Sequence, residues 1–293
     1  MSNLVLNSTT TADLDQFIRR PAHAAMIIGA EGMGKMAISR SIAYRLLGLA
    51  NDAALERYPY FRIIAPTGQS ISIEAIRELL GFTKLRIAEQ QSKTKRLVII
   101  DEAHSMTIEA QNALLKLLEE PPEGTLFLLN VSYVQGLLPT IRSRSQQLRI
   151  RQPNRADLEE YFTTQGKAAQ QVHSAFLMSG GLPGLMHALL SDSESHPLLK
   201  AVEQARGLLR ASTFERLALV DALAKQRPDC IRLLFVLQQM AHATITQSSE
   251  KKGSTQSVAQ WHKVLAAAYE AQNALQENAQ AKLVLTNLML NLS

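Results

Sequence analysis

Short apolar runs alternate with amphipathic or polar stretches from residue 26 to residue 150. The runs MIIG, FRIIAP, LVIID and LFLLN have the length and composition of buried strands. Parallel strands need long crossover connections, usually helices, so this alternation is typical of a parallel sheet with helices on its faces. The sequence therefore predicts an α/β domain over residues 1–150.

Beyond Pro153 the pattern is helical and no further strand-like run occurs. It is interrupted by SGGLPG at 179–184 and by SDSESHP at 191–197, and the second of these has the composition of a linker. We therefore predict a small helical domain over residues 151–195 and a larger all-helical domain over 196–293. Two or three domains are expected for a chain of 293 residues.

The stretch GAEGMGKM lies between the strand MII and the helical segment AISRSIAYRLL. Gly29, Gly32 and Gly34 would let backbone N–H groups curl around phosphate oxygens, and Lys35 would reach the outer phosphates from the start of the helix. Met36 stands where such loops carry a hydroxyl that binds magnesium, and a thioether is a poor ligand for this hard cation. The loop predicts a nucleotide site with a defect.

Two carboxylates follow the apolar strand LVII. At the tip of this strand, Asp101 would hold magnesium, and Glu102 would polarise the attacking water. The letters DEAH also name a class of helicases, but those enzymes need two ATPase-type domains and only one is predicted here. Together with the glycine loop, the acidic pair predicts an ATPase-type site.

Composition narrows the class of protein further. A formal charge of +5 permits nucleic acid as a partner without requiring it. Cys230 is the one cysteine, which excludes a disulfide framework and a zinc site built from several cysteines. The sequence has neither an apolar run of about 18 residues nor the apolar stretch of a signal peptide, so we expect a cytoplasmic protein without a membrane segment.

The stretch LVIIDEAHSMTIEAQNALLKLLEEPPEGTLFLL, continued by LLPTIRSRSQQLRI, resembles the AAA+ subunits of sliding-clamp loaders. Among these, it is similar to the delta-prime and tau/gamma subunits of bacterial DNA polymerase III. The combination of NALLKLLEEPP with LPTIRSR is specific to that family. The resemblance implies an AAA+ P-loop domain, a helical lid and a helical collar that joins subunits into a pentameric ring, which loads the sliding clamp onto primed DNA.

The resemblance also assigns residues of the nucleotide site. Lys35 matches the lysine of the phosphate loop, and Asp101 and Glu102 match the acidic pair. Asn130, at the end of LFLLN, falls near the family's polar residue that senses the γ-phosphate, and Ser132 is the competing assignment.

The stretch Ser143-Arg144-Ser145 matches the family's Ser-Arg-Cys motif, whose arginine enters the ATP site of the neighbouring subunit. A guanidinium there neutralises charge on the transferring phosphoryl group. Arg142 is the rival, but residues two positions apart on a helix are rotated by about 200°, so only one of the two arginines can face that site. Arg144 is the predicted arginine finger.

Three features depart from the family's active members. Besides Met36, Leu185 occupies the place of an arginine that contacts ATP from the lid, and no cysteine pattern for the family's zinc module is present. These departures predict a delta-prime-like subunit that could still bind ATP with magnesium, holds no zinc and has little or no ATPase activity of its own. The alternatives are a tau/gamma-like motor subunit that hydrolyses ATP, and a scaffold independent of nucleotide.

The family grips the phosphates of primer-template DNA through helix N-termini and basic side chains. By similarity through SISIEAIREL, the predicted DNA contacts are Ser70, Arg77 and Lys84. The other partners implied are the companion subunits of the ring and the sliding clamp.

Overall fold

The computed structural model describes residues 4–68, 70–83, 94–191, 196–250, 255–277 and 279–292. The chain divides into two compact units, Met1–Pro153 and Asn154–Ser293. The first unit contains the sheet and the second is helical, as the sequence pattern predicts.

In the described part of the first unit, five parallel strands form the sheet. They are β1 (Ala24–Ile28), β2 (Phe61–Ile64), β3 (Arg96–Ile100), β4 (Thr125–Val131) and β5 (Gln146–Arg149), in the spatial order β2-β3-β4-β1-β5. The four strand-like runs of the sequence are β1 to β4. The short edge strand β5 has an exposed, polar pattern, which is why apolar periodicity does not reveal it.

Among the described residues of the first unit, six helices accompany this sheet: α1 (Ser8–Arg19), α2 (Lys35–Leu46), α3 (Asp52–Glu56), α4 (Ile73–Thr83), α5 (Ile108–Glu119) and α6 (Pro139–Ser143). Helix α5 starts where the side chain of Thr107 accepts a hydrogen bond from the backbone N–H of Ala110. It ends just before the pair Pro121-Pro122, which cannot continue a helix. Its apolar stripe is buried against the sheet: Ala110, Leu114, Leu117 and Leu118.

Strands β1, β3 and β4 are buried along their whole length, so the core of the first unit lies on both faces of the sheet centre. Because the strands are parallel, their carboxyl ends meet at one edge of the sheet. The loop after β1, the acids after β3 and the residues after β4 are therefore brought together at that edge.

Eight helices make up the described part of the second unit: α7 (Arg155–Thr164), α8 (Ala169–Ser179), α9 (Pro183–Leu190), α10 (Leu199–Arg210), α11 (Thr213–Leu223), α12 (Arg227–Glu250), α13 (Thr255–Gln276) and α14 (Ala281–Asn291). Gly180 ends α8 with a φ of 66°, and a Cβ there would lie 2.6 Å from Cβ of Gln239, so only glycine fits. Helix α8 also packs on α12, across the predicted lid and collar boundary, and the division at residue 195 stays a prediction.

The predicted fold class is confirmed at the level of architecture: an α/β domain with a parallel sheet is followed by helices. None of the described helices is both long enough and apolar enough to span a membrane.

Candidate nucleotide site and arginine finger

The loop between β1 and α2 has the backbone shape of a phosphate cradle. Gly32 and Gly34 have φ values of 84° and 79°, a region that side chains disfavour. Gly34 directly precedes α2, whose 12 residues align their N–H groups toward the loop. At Gly29 a Cβ would lie 3.3 Å from Cβ of Ile150, so the start of the loop is also tight. The predicted glycines are thus the residues that give the loop its shape.

The side chain of Lys35 is turned into its own loop. Its Nζ donates to the backbone oxygens of Gly29 (2.8 Å) and Ala30 (2.9 Å) and to Oγ of Ser132 (2.8 Å). An ammonium group has three N–H donors, and these three contacts use all of them. Burial lowers the pKa of Lys35, and the negative charge of Asp101 acts in the opposite direction.

Asp101 is bound to Asn130 rather than to a hydroxyl of the phosphate loop. Oδ1 of Asp101 accepts a hydrogen bond from Nδ2 of Asn130 at 2.8 Å, and Oδ1 of Asn130 accepts one from Oγ of Ser39 at 2.5 Å. Asn130 is fully buried, with 0% exposure. The amide of Asn130 is thus bound to Asp101 after β3 and to Ser39 of α2, and its predicted role as a phosphate sensor stays a prediction. Ser132, the competing assignment, directly follows β4 and accepts a hydrogen bond from Lys35.

The turn after Asp101 is strained. Glu102 has φ 46° and ψ 45°, and it is the one non-glycine residue with positive φ in the part of the chain that the structure describes. The 3-10 turn Ala103–Ser105 follows, and Nδ1 of His104 is buried there without a hydrogen-bond partner among the described residues. Burial lowers the pKa of His104, and the positive charge of Lys35 adds to this effect. The acidic pair therefore directly follows β3, and Glu102 has a strained backbone.

Gln111 connects three segments at this edge and was not identified from the sequence. Its Nε2 donates to the backbone oxygens of Met106 (3.1 Å) and Gly136 (2.9 Å), and its Oε1 accepts from the backbone N–H of Leu138 (2.7 Å). The side chain is buried on the inner face of α5. A polar residue next to the apolar stripe of α5 was the signal that could have revealed it.

Arg144 caps the C-terminal end of α6. Its Nη1 donates to the backbone oxygen of Thr140 at 3.2 Å, and its Nη2 lies 2.9 Å from Oε1 of Glu119. Arg142 occupies the last turn of α6 and forms no ion pair with any described residue. Ser145, at the position of the motif's cysteine, is buried. Arg144 keeps 37% of its side chain exposed, so a neighbouring molecule can reach it.

The remaining predicted positions lie elsewhere. Leu185 is buried in α9 and has no charged group to offer a nucleotide. Ser70 precedes α4 in a short bridge with Thr67, and Arg77 is exposed on α4. Lys84 lies outside the described residues. The DNA contacts stay a prediction.

The residues of the loop fit a phosphate better than they fit a magnesium nucleotide. The two left-handed glycines and the start of α2 supply the cradle. Against this, Lys35 is engaged within the chain, Met36 offers no oxygen, and one oxygen of Asp101 already accepts a hydrogen bond. Among the described residues there is also no group of three or more His, Cys, Asp or Glu side chains that could hold a metal ion.

The family model described as DNA polymerase III, delta subunit, matches residues 14–154, which include the phosphate loop, the acidic pair and Arg144. The sequence is 28% identical over 206 residues to the delta-prime subunit of DNA polymerase III from Pseudomonas aeruginosa, covering 64% of this chain and 62% of that protein. It is 34% identical over 190 residues to the delta-prime subunit from Yersinia pestis, covering 63% and 50%. The chain resembles a delta-prime subunit of DNA polymerase III.

The delta-prime resemblance covers part of each protein, since the chain spans about three fifths of the length of the first two delta-prime relatives, 62% and 59%. The tau/gamma subunit from Haemophilus influenzae is 28% identical over 237 residues, which is 67% of this chain and 34% of that protein. A solved structure of a gamma subunit-related protein from Thermotoga maritima has a TM-score of 0.49 and 20% identity, over 95% of this chain and 97% of that one.

Proposed function

We propose that the chain is a delta-prime-like subunit of a clamp loader, which helps an ATP-driven ring of subunits place a sliding clamp on primed DNA. In this proposal its own phosphate loop binds nucleotide weakly and hydrolyses it slowly or not at all. Its contribution to hydrolysis is Arg144, which enters the ATP site of the neighbouring subunit and neutralises charge on the transferring phosphoryl group.

One observation carries the proposal: the amine of Lys35 has all three donors bound inside the chain. To bind Lys35, a γ-phosphate would have to displace these three contacts. The amine is buried, and burial already lowers its pKa. Met36 withholds the magnesium ligand that would favour this exchange. Arg144, in contrast, is accessible at the C-terminal end of α6.

The first experiment measures ATP binding and hydrolysis by the isolated chain in magnesium, with Lys35→Ala as the blank. Little or no turnover in both proteins is the expected result. Turnover that disappears in Lys35→Ala would overturn the proposal and assign the chain as a tau/gamma-like motor subunit. The left-handed glycines and the acidic pair at the strand end are the features that favour that second function.

The second experiment measures ATP hydrolysis by the loader assembled with Arg144→Ala. We expect a loss of turnover of about a thousandfold at the neighbour's site, the lower range for an arginine finger. Arg142→Ala is the matched control, because it removes an arginine from the same helix. Unchanged hydrolysis with Arg144→Ala would favour the alternative of a scaffold that acts without nucleotide. The companion subunits, the clamp and primer-template DNA are proposed partners on the same basis.

A further inference from the structure

The side chain of Arg144 is held from two sides by its own subunit. The backbone oxygen of Thr140 binds Nη1, and the carboxylate of Glu119 binds Nη2 at 2.9 Å. A guanidinium has five N–H donors, so the N–H of Nε and one N–H on each terminal nitrogen stay available. The two contacts fix the direction of the guanidinium and leave three of its N–H donors available.

Glu119 itself stands on a rigid support. It is the last residue of α5, which is anchored to the sheet by the buried side chains of Leu114, Leu117 and Leu118. The C-terminal end of a helix carries a partial negative charge, so the end of α5 and the Glu119 carboxylate both attract the guanidinium. Helix α5 also packs on α6, and Arg144 directly follows the last residue of α6.

We infer that Glu119 is the positioning residue of the arginine finger, an inference that rests on the proposed function. A free arginine side chain samples many rotamers, and each one that points away from the neighbour's phosphate lowers the rate. The ion pair with Glu119 holds the guanidinium in one orientation before the subunits engage. Glu119 acts through Arg144 and has no contact with the nucleotide in this proposal.

The test uses the clamp loader assembled with this chain and follows steady-state ATP hydrolysis with clamp and primed DNA present. Glu119→Ala is expected to lower kcat about fivefold, equivalent to about 1 kcal/mol, with the KM for ATP unchanged. Glu119→Gln, which keeps an acceptor oxygen, is expected to retain most of the turnover. Glu120→Ala is the matched control, because it removes a neighbouring exposed carboxylate, and it should behave as the parent protein.

A merely structural role is separated by the double variant Glu119→Ala/Arg144→Ala. If Glu119 acts through the finger, its loss has no further effect on kcat once Arg144 is absent. An unchanged or raised kcat in Glu119→Ala, or an equal loss in both backgrounds, would overturn the positioning role. If Arg144→Ala alone leaves hydrolysis unchanged, the finger itself is overturned, and the positioning role falls with it. If ATP hydrolysis is slow with Arg144→Ala but normal with Glu119→Ala, only the positioning role is overturned.

Discussion

Nζ of Lys35 and Oγ of Ser132 lie 2.8 Å apart, which joins the phosphate loop to the end of β4. In an active site this lysine would hold a phosphate. Here its hydrogen bond joins the loop after β1 to the residue after β4, where the carboxyl ends of the strands meet. Its other two contacts, to Gly29 and Ala30, close the loop on itself. All three donors of the Lys35 amine are therefore bound within the chain.

Ser132→Ala is expected to lower the free energy of unfolding by about 1 kcal/mol, because the buried ammonium of Lys35 loses one of its three acceptors. Urea denaturation of the isolated chain measures this change. Ser8→Ala, at an exposed position of α1, is the control and should have no comparable effect. Equal stability of Ser132→Ala and the parent protein would show that this hydrogen bond does not hold the loop.

Asn130→Ala is expected to lower the free energy of unfolding by more, about 2–3 kcal/mol. It removes the amide that bridges Asp101 and Ser39, and it leaves the buried Ser39 hydroxyl without its acceptor. The exposed Asn112 on α5 gives the matched control, Asn112→Ala.

A double-mutant cycle with Ser39→Ala tests the mechanism behind the Asn130 effect. The cost of Asn130→Ala should be smaller when the Ser39 hydroxyl is already absent, because no buried donor is then left unpaired. Strict additivity of the two substitutions would contradict the hydrogen bond.

Much of this arrangement follows from the sequence because its causes are local. Strand-like runs give β1 to β4, and the glycines mark the backbone positions with left-handed φ. Contacts between distant residues do not follow in this way. The pairing of Asn130 with Asp101 and Ser39 depends on the register of β3 and β4 and on where α2 packs, which no local pattern encodes.

The arginine motif shows the same limit. Helical geometry separates Arg142 from Arg144, and the structure places them at different positions on α6. The partner Glu119 could not be chosen from the sequence over its neighbour Glu120, because the choice depends on how the end of α5 meets α6.

Met36→Thr is expected to raise the affinity for ATP in magnesium about tenfold, which corresponds to ~1.4 kcal/mol. The new hydroxyl offers magnesium an oxygen ligand at the start of α2, and the left-handed glycines already provide the cradle. Calorimetric titration measures the affinity, and the gain should disappear when magnesium is removed. Ala37→Thr, one position further on α2 and exposed, is the matched control. An unchanged affinity would mean that the hydroxyl is not what limits binding.

We expect His104 to make the stability of the first unit depend on pH. Its pKa in the folded chain lies below the ordinary value of 6.5, because burial and the charge of Lys35 oppose protonation. As the pH falls through 6.5, the unfolded chain takes up this proton first, so the free energy of unfolding decreases. The slope is at most about 1.4 kcal/mol per pH unit and vanishes below the pKa of the folded form.

Replacing His104 removes this contribution while other groups keep theirs. Denaturation curves for His104→Asn between pH 7 and pH 5 should therefore show a smaller loss of stability than those of the parent protein. Asn112→Ala, which removes no titratable group, is the control and should leave the slope as it is. A parent protein and a His104→Asn variant that lose stability in parallel would show that this imidazole is protonated as easily in the folded chain as in the unfolded one. Water would then have to reach Nδ1, which is buried and has no partner among the described residues.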